Sequence, residues 1–363
     1  MKIALLGDIA FFGRFSKQNN TNLEDYFKKI SQRLATYDLV VGNLETPFAK
    51  DEHVPIGYKS AYIKSEPLNV SLLKYLNIGV VNLANNHIYD YGAASFELTK
   101  QLLDEHGIKY FGIDNKELRM EHGGNVLAFN GYCCYSTNPL GINRGDQSGI
   151  NELDFREVST RLQKNRNFDQ VDIFSVHCGQ EHVNYPNYDH VQLARKLSEI
   201  GPYIFYGHHP HVAQGIEEVN NSLIAYSLGN FCFDDVYTSK SKFPLVKQTQ
   251  NNKESFLLEI EIENNRVVGH AVVPFFIGDR EIVLDAPQIL KKIQKYSVQL
   301  KEEKESYNRY RNRLWMSYIN DRKKKRDFNW YYKRLNFRTI GLILSSRSNA
   351  RKYRKCISDH LDA

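Results

Sequence analysis

The stretch that most constrains this chain is YIFYGHHPHV, residues 203–212. Its apolar start, Tyr203 to Tyr206, has the length of a buried strand, and Gly207 is expected to end it. Three histidines then crowd into four positions: His208, His209 and His211. A neutral imidazole binds a transition metal through one ring nitrogen. Two of them one residue apart, on a turn just past a strand, are able to face two adjacent ions. Taken alone, such a pair reads equally well as a histidine-rich loop. The other strand ends decide between the two.

The same pattern recurs along the chain. An apolar run from Lys2 to Gly7 leads into Asp8. Leu23, Phe27, Ile30 and Leu34 then repeat at helical spacing. Asp38–Val41 runs into Gly42-Asn43-Leu44-Glu45, and Ile78–Leu83 into Ala84-Asn85-Asn86-His87. Val171–Val176 ends in His177, with Glu181 four residues on. Asn230 follows the turn at Gly229, and Lys59 sits in an aperiodic loop over 55–67 where it can touch an anionic substrate. Phe256–Ile262 and Val267–Val273 flank Asn264-Asn265 and read as a hairpin. Strand, polar turn and helix alternate, which argues for an α/β fold with ligand groups at the carboxyl ends of the strands.

Five strands thus end in a metal-competent side chain: Asp8, Glu45, Asn86, His177 and the His209/His211 pair. Two carboxylates, an amide and several imidazoles suit a pair of borderline divalent ions, Mn²⁺, Fe²⁺ or Zn²⁺. A carboxylate placed between two ions about 3.5–4 Å apart can bridge them while they activate a water.

The motifs GD at 7–8, NLE at 43–45, ANNH at 84–87, H-x-G-x-E at 177–181, GHHPHV at 207–212 and YSLGNF at 226–231 together resemble the CapA family of bacterial capsule and poly-γ-glutamate synthesis, over roughly residues 1–280. The resemblance implies a metallophosphoesterase-like α/β fold, a four-layer sandwich of two mixed β-sheets flanked by helices. It implies that Asp8 is the first-motif aspartate and Glu45 the bridging carboxylate. Asn86, His177, His209 and His211 would be the remaining ligands, and His87 the residue that protonates a leaving group. Glu181 is a second candidate for proton transfer, with His208, Asn43, Asn230 and Lys59 expected to contact substrate. The chain departs from the family pattern in two places. Asp8-Ile9-Ala10 stands where phosphoesterases have D-x-H, leaving one ion a ligand short unless His208 or Glu181 replaces it. Cys178 and His182 stand where aromatic residues are usual.

Composition divides the chain. Residues 286–363 carry 21 Lys+Arg against 7 Asp+Glu, leaving 27 against 35 for residues 1–285. The expected organisation is a catalytic-type domain over 1–285 and a basic, aromatic-rich helical extension over 286–363. Trp315, Trp330, Tyr331, Tyr332 and Phe337, interleaved with Lys and Arg, suit an anionic membrane surface touched through 315–363. The acidic first part argues against nucleic acid as the substrate. Five cysteines without a C-x-x-C pair argue against a disulfide framework. Asp8 interrupts the apolar start, so no signal peptide is read there. The expected place is the cytoplasm, peripheral on the inner face of the cell membrane. The resemblance implies a metal-dependent hydrolase in capsule, poly-γ-glutamate or exopolysaccharide synthesis, with a metal-activated water as nucleophile. Its partners would be an anionic polymer or capsule precursor and capsule-synthesis membrane proteins. The alternative is a non-catalytic subunit of a polymer-synthesis complex that keeps the fold.

Overall fold

A computed structural model describes residues 1–143, 145, 148–238, 241–324 and 337–361. Trp330, Tyr331 and Tyr332 lie outside the described residues. Two sheets form the centre. The first contains β1 (Lys2–Ile9), β2 (Leu39–Leu44), β3 (Ile78–Asn82) and β4 (Lys109–Phe111). The second contains β5 (Leu118–His122), β6 (Asn125–Cys133), β7 (Val171–His177), β8 (Ile204–His208), β9 (Ile216–Val219) and β10 (Ser222–Ala225). Further along the chain come β11 (Asn230–Cys232), β12 (Val236–Thr238), β13 (Ser241–Val246), β14 (Glu254–Glu263), β15 (Arg266–Ile277) and β16 (Ile282–Leu284). The first sheet runs β16-β15-β14-β1-β2-β3-β4 with β11 on β1, and the second runs β5-β6-β7-β8-β10-β9. Both are mixed: β1 to β4 and β6-β7-β8-β10 are parallel, while β14, β15, β5 and β9 pair antiparallel.

Helices cover the outer faces. They are α1 (Leu23–Leu34), α2 (Val70–Tyr75), α3 (Gly92–Glu105), α4 (Phe155–Asn165), α5 (Tyr188–Ile200), α8 (Lys304–Lys324) and α9 (Phe337–Tyr353), while the short α6 (Gln250–Lys253) precedes β14 and α7 (Pro287–Gln299) closes the space between the sheets. Alternation along the strands explains the layers. Ile3 and Leu5 of β1 point inward and meet Phe129, Ile173, Ile204 and Tyr206 of the second sheet. Ala4 and Leu6 point outward to Phe27, Ile30 and Leu34 of α1. On the far side, Phe174, Val176 and Phe205 pack under Val158, Leu162, Val191 and Leu197 of α4 and α5. The order is helices, sheet, sheet, helices, the four layers expected from the sequence. Each fully buried Leu, Ile or Phe contributes roughly 1.5–3 kcal/mol.

The compositional break near 285 is not a break in packing. Ile289 and Ile293 of α7 belong to the layer between the sheets, and Leu300, Tyr307, Ile357 and Leu361 complete the core under α4 and α5. Among the described residues no helix is long and apolar enough to cross a membrane.

Candidate metal centre

Both sheets send the carboxyl ends of their parallel strands to one place. In the first sheet Asp8 pairs in register with Asn43 and Asn230; in the second His177 pairs with His208. β8 does not stop at Gly207, as the sequence had led us to expect, but continues through His208. A Cβ at Gly207 would lie 1.9 Å from the Tyr226 carbonyl oxygen, and one at Gly7 1.9 Å from that of Gly229. The two glycines are there for close backbone approach, which lets 226–229 wedge against both β1 and β8. Past β8, His209 (φ 92°) and His211 (φ 55°) adopt left-handed backbone around Pro210. Such strain in non-glycine residues gathers at functional sites.

Asp8, Glu45, Asn86, His177, His208, His209 and His211 are all buried here. Three overlapping sets have ligand atoms within 4.8 Å of one another: Glu45–His177–His209, Asp8–Glu45–His211 and Glu181–His209–His211. His177 Nε2 lies 2.8 Å from Asn86 Oδ1. Glu45 Oε1 is 3.8 Å from His177 Nε2 and 3.7 Å from His211 Nε2. Among the described residues neither Glu45 oxygen has a hydrogen-bond donor, and His209 Nδ1 is also without a partner. His208 Nδ1 stands 3.1 Å from Asp8 Oδ1 but out of line for a hydrogen bond. Buried carboxylate oxygens with nothing to satisfy them are costly unless a cation does so.

The electrostatics agree. Burial and the neighbouring Asp8 push the Glu45 carboxyl well above its usual range. Burial opposes charge on His211, yet Glu45, Asp8 and Glu181 outweigh it and push the imidazole up to about 10. Burial brings His209 down to about 3 and, helped by the nearby His209, His177 well below its usual value. The cluster therefore keeps some imidazoles neutral, as ligands must be, and draws a proton onto His211 to balance its carboxylates. The donor set fits one or two divalent ions: Glu45, Asn86, His177 and His209 surround one position, and Asp8, Glu45 and His211 the other. Glu181 and His208 stand beside the position that lacks the D-x-H histidine; the residue in its place, Ala10, is buried.

The residues expected at the substrate are turned inward. Asn43 donates to Asp8 Oδ1 at 2.8 Å and accepts from Asn82 and Asn85. Asn230 places Oδ1 2.9 Å from His211 Nδ1. In register with Asp8, both face the side it faces and bond residues of the cluster, Asp8 and His211. Lys59 is buried, its ammonium 2.6 Å from Asp90 Oδ1 and 3.2 Å from His87 Nδ1. Asp90 Oδ2 holds His87 Nδ1 at 2.7 Å. Burial and Lys59 lower the His87 pKa, so its ring is neutral. Asp90 and Asn252, which donates to the His211 carbonyl at 2.9 Å, were not singled out from sequence. The i, i+3 spacing of His87 and Asp90 was the available signal.

Residues 2–235 match the family model described as bacterial capsule synthesis protein PGA_cap. The chain is 30% identical over 256 residues to "PGA biosynthesis protein CapA" of Bacillus subtilis (strain 168), covering 68% of this chain and 67% of that one. It is 25% identical over 273 residues to "Capsule biosynthesis protein CapA" of Bacillus anthracis, covering 72% and 66%. It therefore spans about two thirds of the length of these relatives. Among solved structures, a 5'-nucleotidase from Candida albicans SC5314 aligns with a TM-score of 0.40 at 11% identity, over 88% of this chain and 57% of that one. With the motifs, their order and this match over most of its length, the chain belongs to the bacterial capsule synthesis protein PGA_cap family.

Proposed function

We propose that this protein is a metal-dependent hydrolase of the phosphoesterase type that acts in the assembly of capsule, poly-γ-glutamate or another anionic exopolymer. The observation that carries it is Glu45, a carboxylate of the first sheet buried among imidazoles of the second and, among the described residues, without a hydrogen-bond donor. Manganese, iron or zinc, when bound, would supply Lewis-acid polarisation of a phosphoryl or acyl group and a water of lowered pKa. The chain's own residues do the rest. Asn43 and Asn230 fix the rotamers of Asp8 and His211. Asp90 accepts from His87 Nδ1–H, which leaves Nε2 as the nitrogen that exchanges a proton with substrate. Lys59 anchors this pair and keeps the imidazole neutral until it takes up that proton.

The test separates ion binding from turnover. Protein stripped by chelation and titrated with Mn²⁺ at about pH 8 releases protons, because the buried cluster pushes His211 and Glu45 up and ligands must give their protons up. Reloaded protein hydrolyses an activated phosphodiester. Glu45→Gln loses both metal and turnover, whereas His87→Ala keeps the metal and loses turnover by about 10²-fold or more. A non-catalytic role in a polymer-synthesis complex is favoured by Ala10 where a ligand is missing. That reading predicts metal uptake without turnover, with His87→Ala indistinguishable from the parent.

A further inference from the structure

Helix α9 is built the wrong way round for a helix that ends at solvent. Its inner stripe is small and polar: Ser345 Oγ and Asn349 Nδ2 bond Asn138 Oδ1 at 3.2 and 2.7 Å, and Gly341 lies against the Tyr58 ring. Its outer face is apolar, with Ile340 54% exposed, Ile343 49% and Leu344 60%. A surface helix ordinarily turns its apolar stripe to the core, but among the described residues this one leaves its hydrophobic face without a partner. Next along that face stand Arg347 and Arg351, both exposed, and the sequence FRTIGLILSSRSNARKY contains no acidic residue. An apolar patch continued by cations alone is complementary to a surface that offers acyl chains beneath anionic head groups.

We infer that the outer face of α9 is a docking surface for an anionic lipid bilayer. The apolar residues enter the acyl boundary, and Arg347 and Arg351 pair with phosphates. The face sits on loops that wall the metal centre. Tyr58 precedes Lys59, and Asn138 follows Thr137, whose carbonyl accepts from Asn86 at 3.2 Å. Docking therefore holds those loops at the membrane and presents the centre to a substrate carried there. The inference does not depend on the catalytic reading, since partitioning requires no turnover.

The experiment uses the full chain in sedimentation with phosphatidylcholine vesicles, with and without phosphatidylglycerol. The parent binds only the anionic vesicles, and added salt weakens it. Ile343→Asp/Leu344→Asp and Arg347→Glu/Arg351→Glu each weaken binding about tenfold or more, with metal content unchanged. The substituted side chains are exposed, so the fold is retained; circular dichroism checks this. Equal binding to neutral vesicles, or parent-like binding by either double variant, overturns the inference. So does a parent dimer that Ile343→Asp/Leu344→Asp dissociates while vesicles are ignored, which assigns the face to a second copy. Binding of soluble poly-γ-glutamate, lost in Arg347→Glu/Arg351→Glu and with no lipid binding by the parent, overturns it in favour of a polymer.

Discussion

Asp172 shows how a single buried group shapes the response to pH away from the metal centre. Burial raises its carboxyl from 3.8 to about 6, although Asn165 and Gln170 both donate to Oδ1, at 2.6 and 2.9 Å. With the folded pKa above the unfolded one, its contribution to stability is fully present below about 3.8 and is lost as pH rises through about 6. Asp172→Asn keeps the acceptor and removes the charge. We expect it to stabilise the protein at neutral pH by about 2 kcal/mol, the gain vanishing below about pH 4 in thermal melts recorded across pH. At this scale the carboxylates, amide and imidazoles that cluster at the strand ends were legible in sequence, because few side-chain types can serve a metal. Asp90, Asn252 and the inward turn of Asn43 and Asn230 were not, since hydrogen bonds to a ligand from distant segments leave no pattern along the chain.

Among the elements, β1 and β8 carry the arrangement through their glycines. Gly207→Ala would set a methyl 1.9 Å from the Tyr226 oxygen, on backbone that cannot swing away. We expect a loss of more than about 3 kcal/mol, or no folded protein, in denaturant titration. Gly123→Ala, at φ 56° with nothing within 4 Å of the added atom, should cost only about 1 kcal/mol. Most strands and helices fall where periodicity places them, and the turn at Asn264-Asn265 takes the positive φ that such pairs favour. The reading failed at Gly207, taken as a stop signal when its role is close approach, something only the partner segment reveals. Nor did sequence show that α9 turns apolar residues outward; they gather in its first half, with too little sidedness to assign a buried face.

Across the whole molecule, the candidate ligands come from two sheets. Asp8, Glu45 and Asn86 belong to one, and His177, His208, His209 and His211 to the other. Ions that bind the folded state alone stabilise it by mass action, by about 2.7 kcal/mol at a hundredfold excess over Kd. The parent should melt higher with Mn²⁺ than without, and Glu45→Gln should show no such rise in calorimetry. The extension completes the outer layer of the second sheet, where the buried Arg311 of α8 donates to Gln180 Oε1 at 2.6 Å and to the Tyr185 carbonyl at 3.2 Å, next to Glu181. The centre is in effect a rivet through two plates. Through Arg311 the extension and the second plate hold one wall of the centre in common, the segment that carries Glu181.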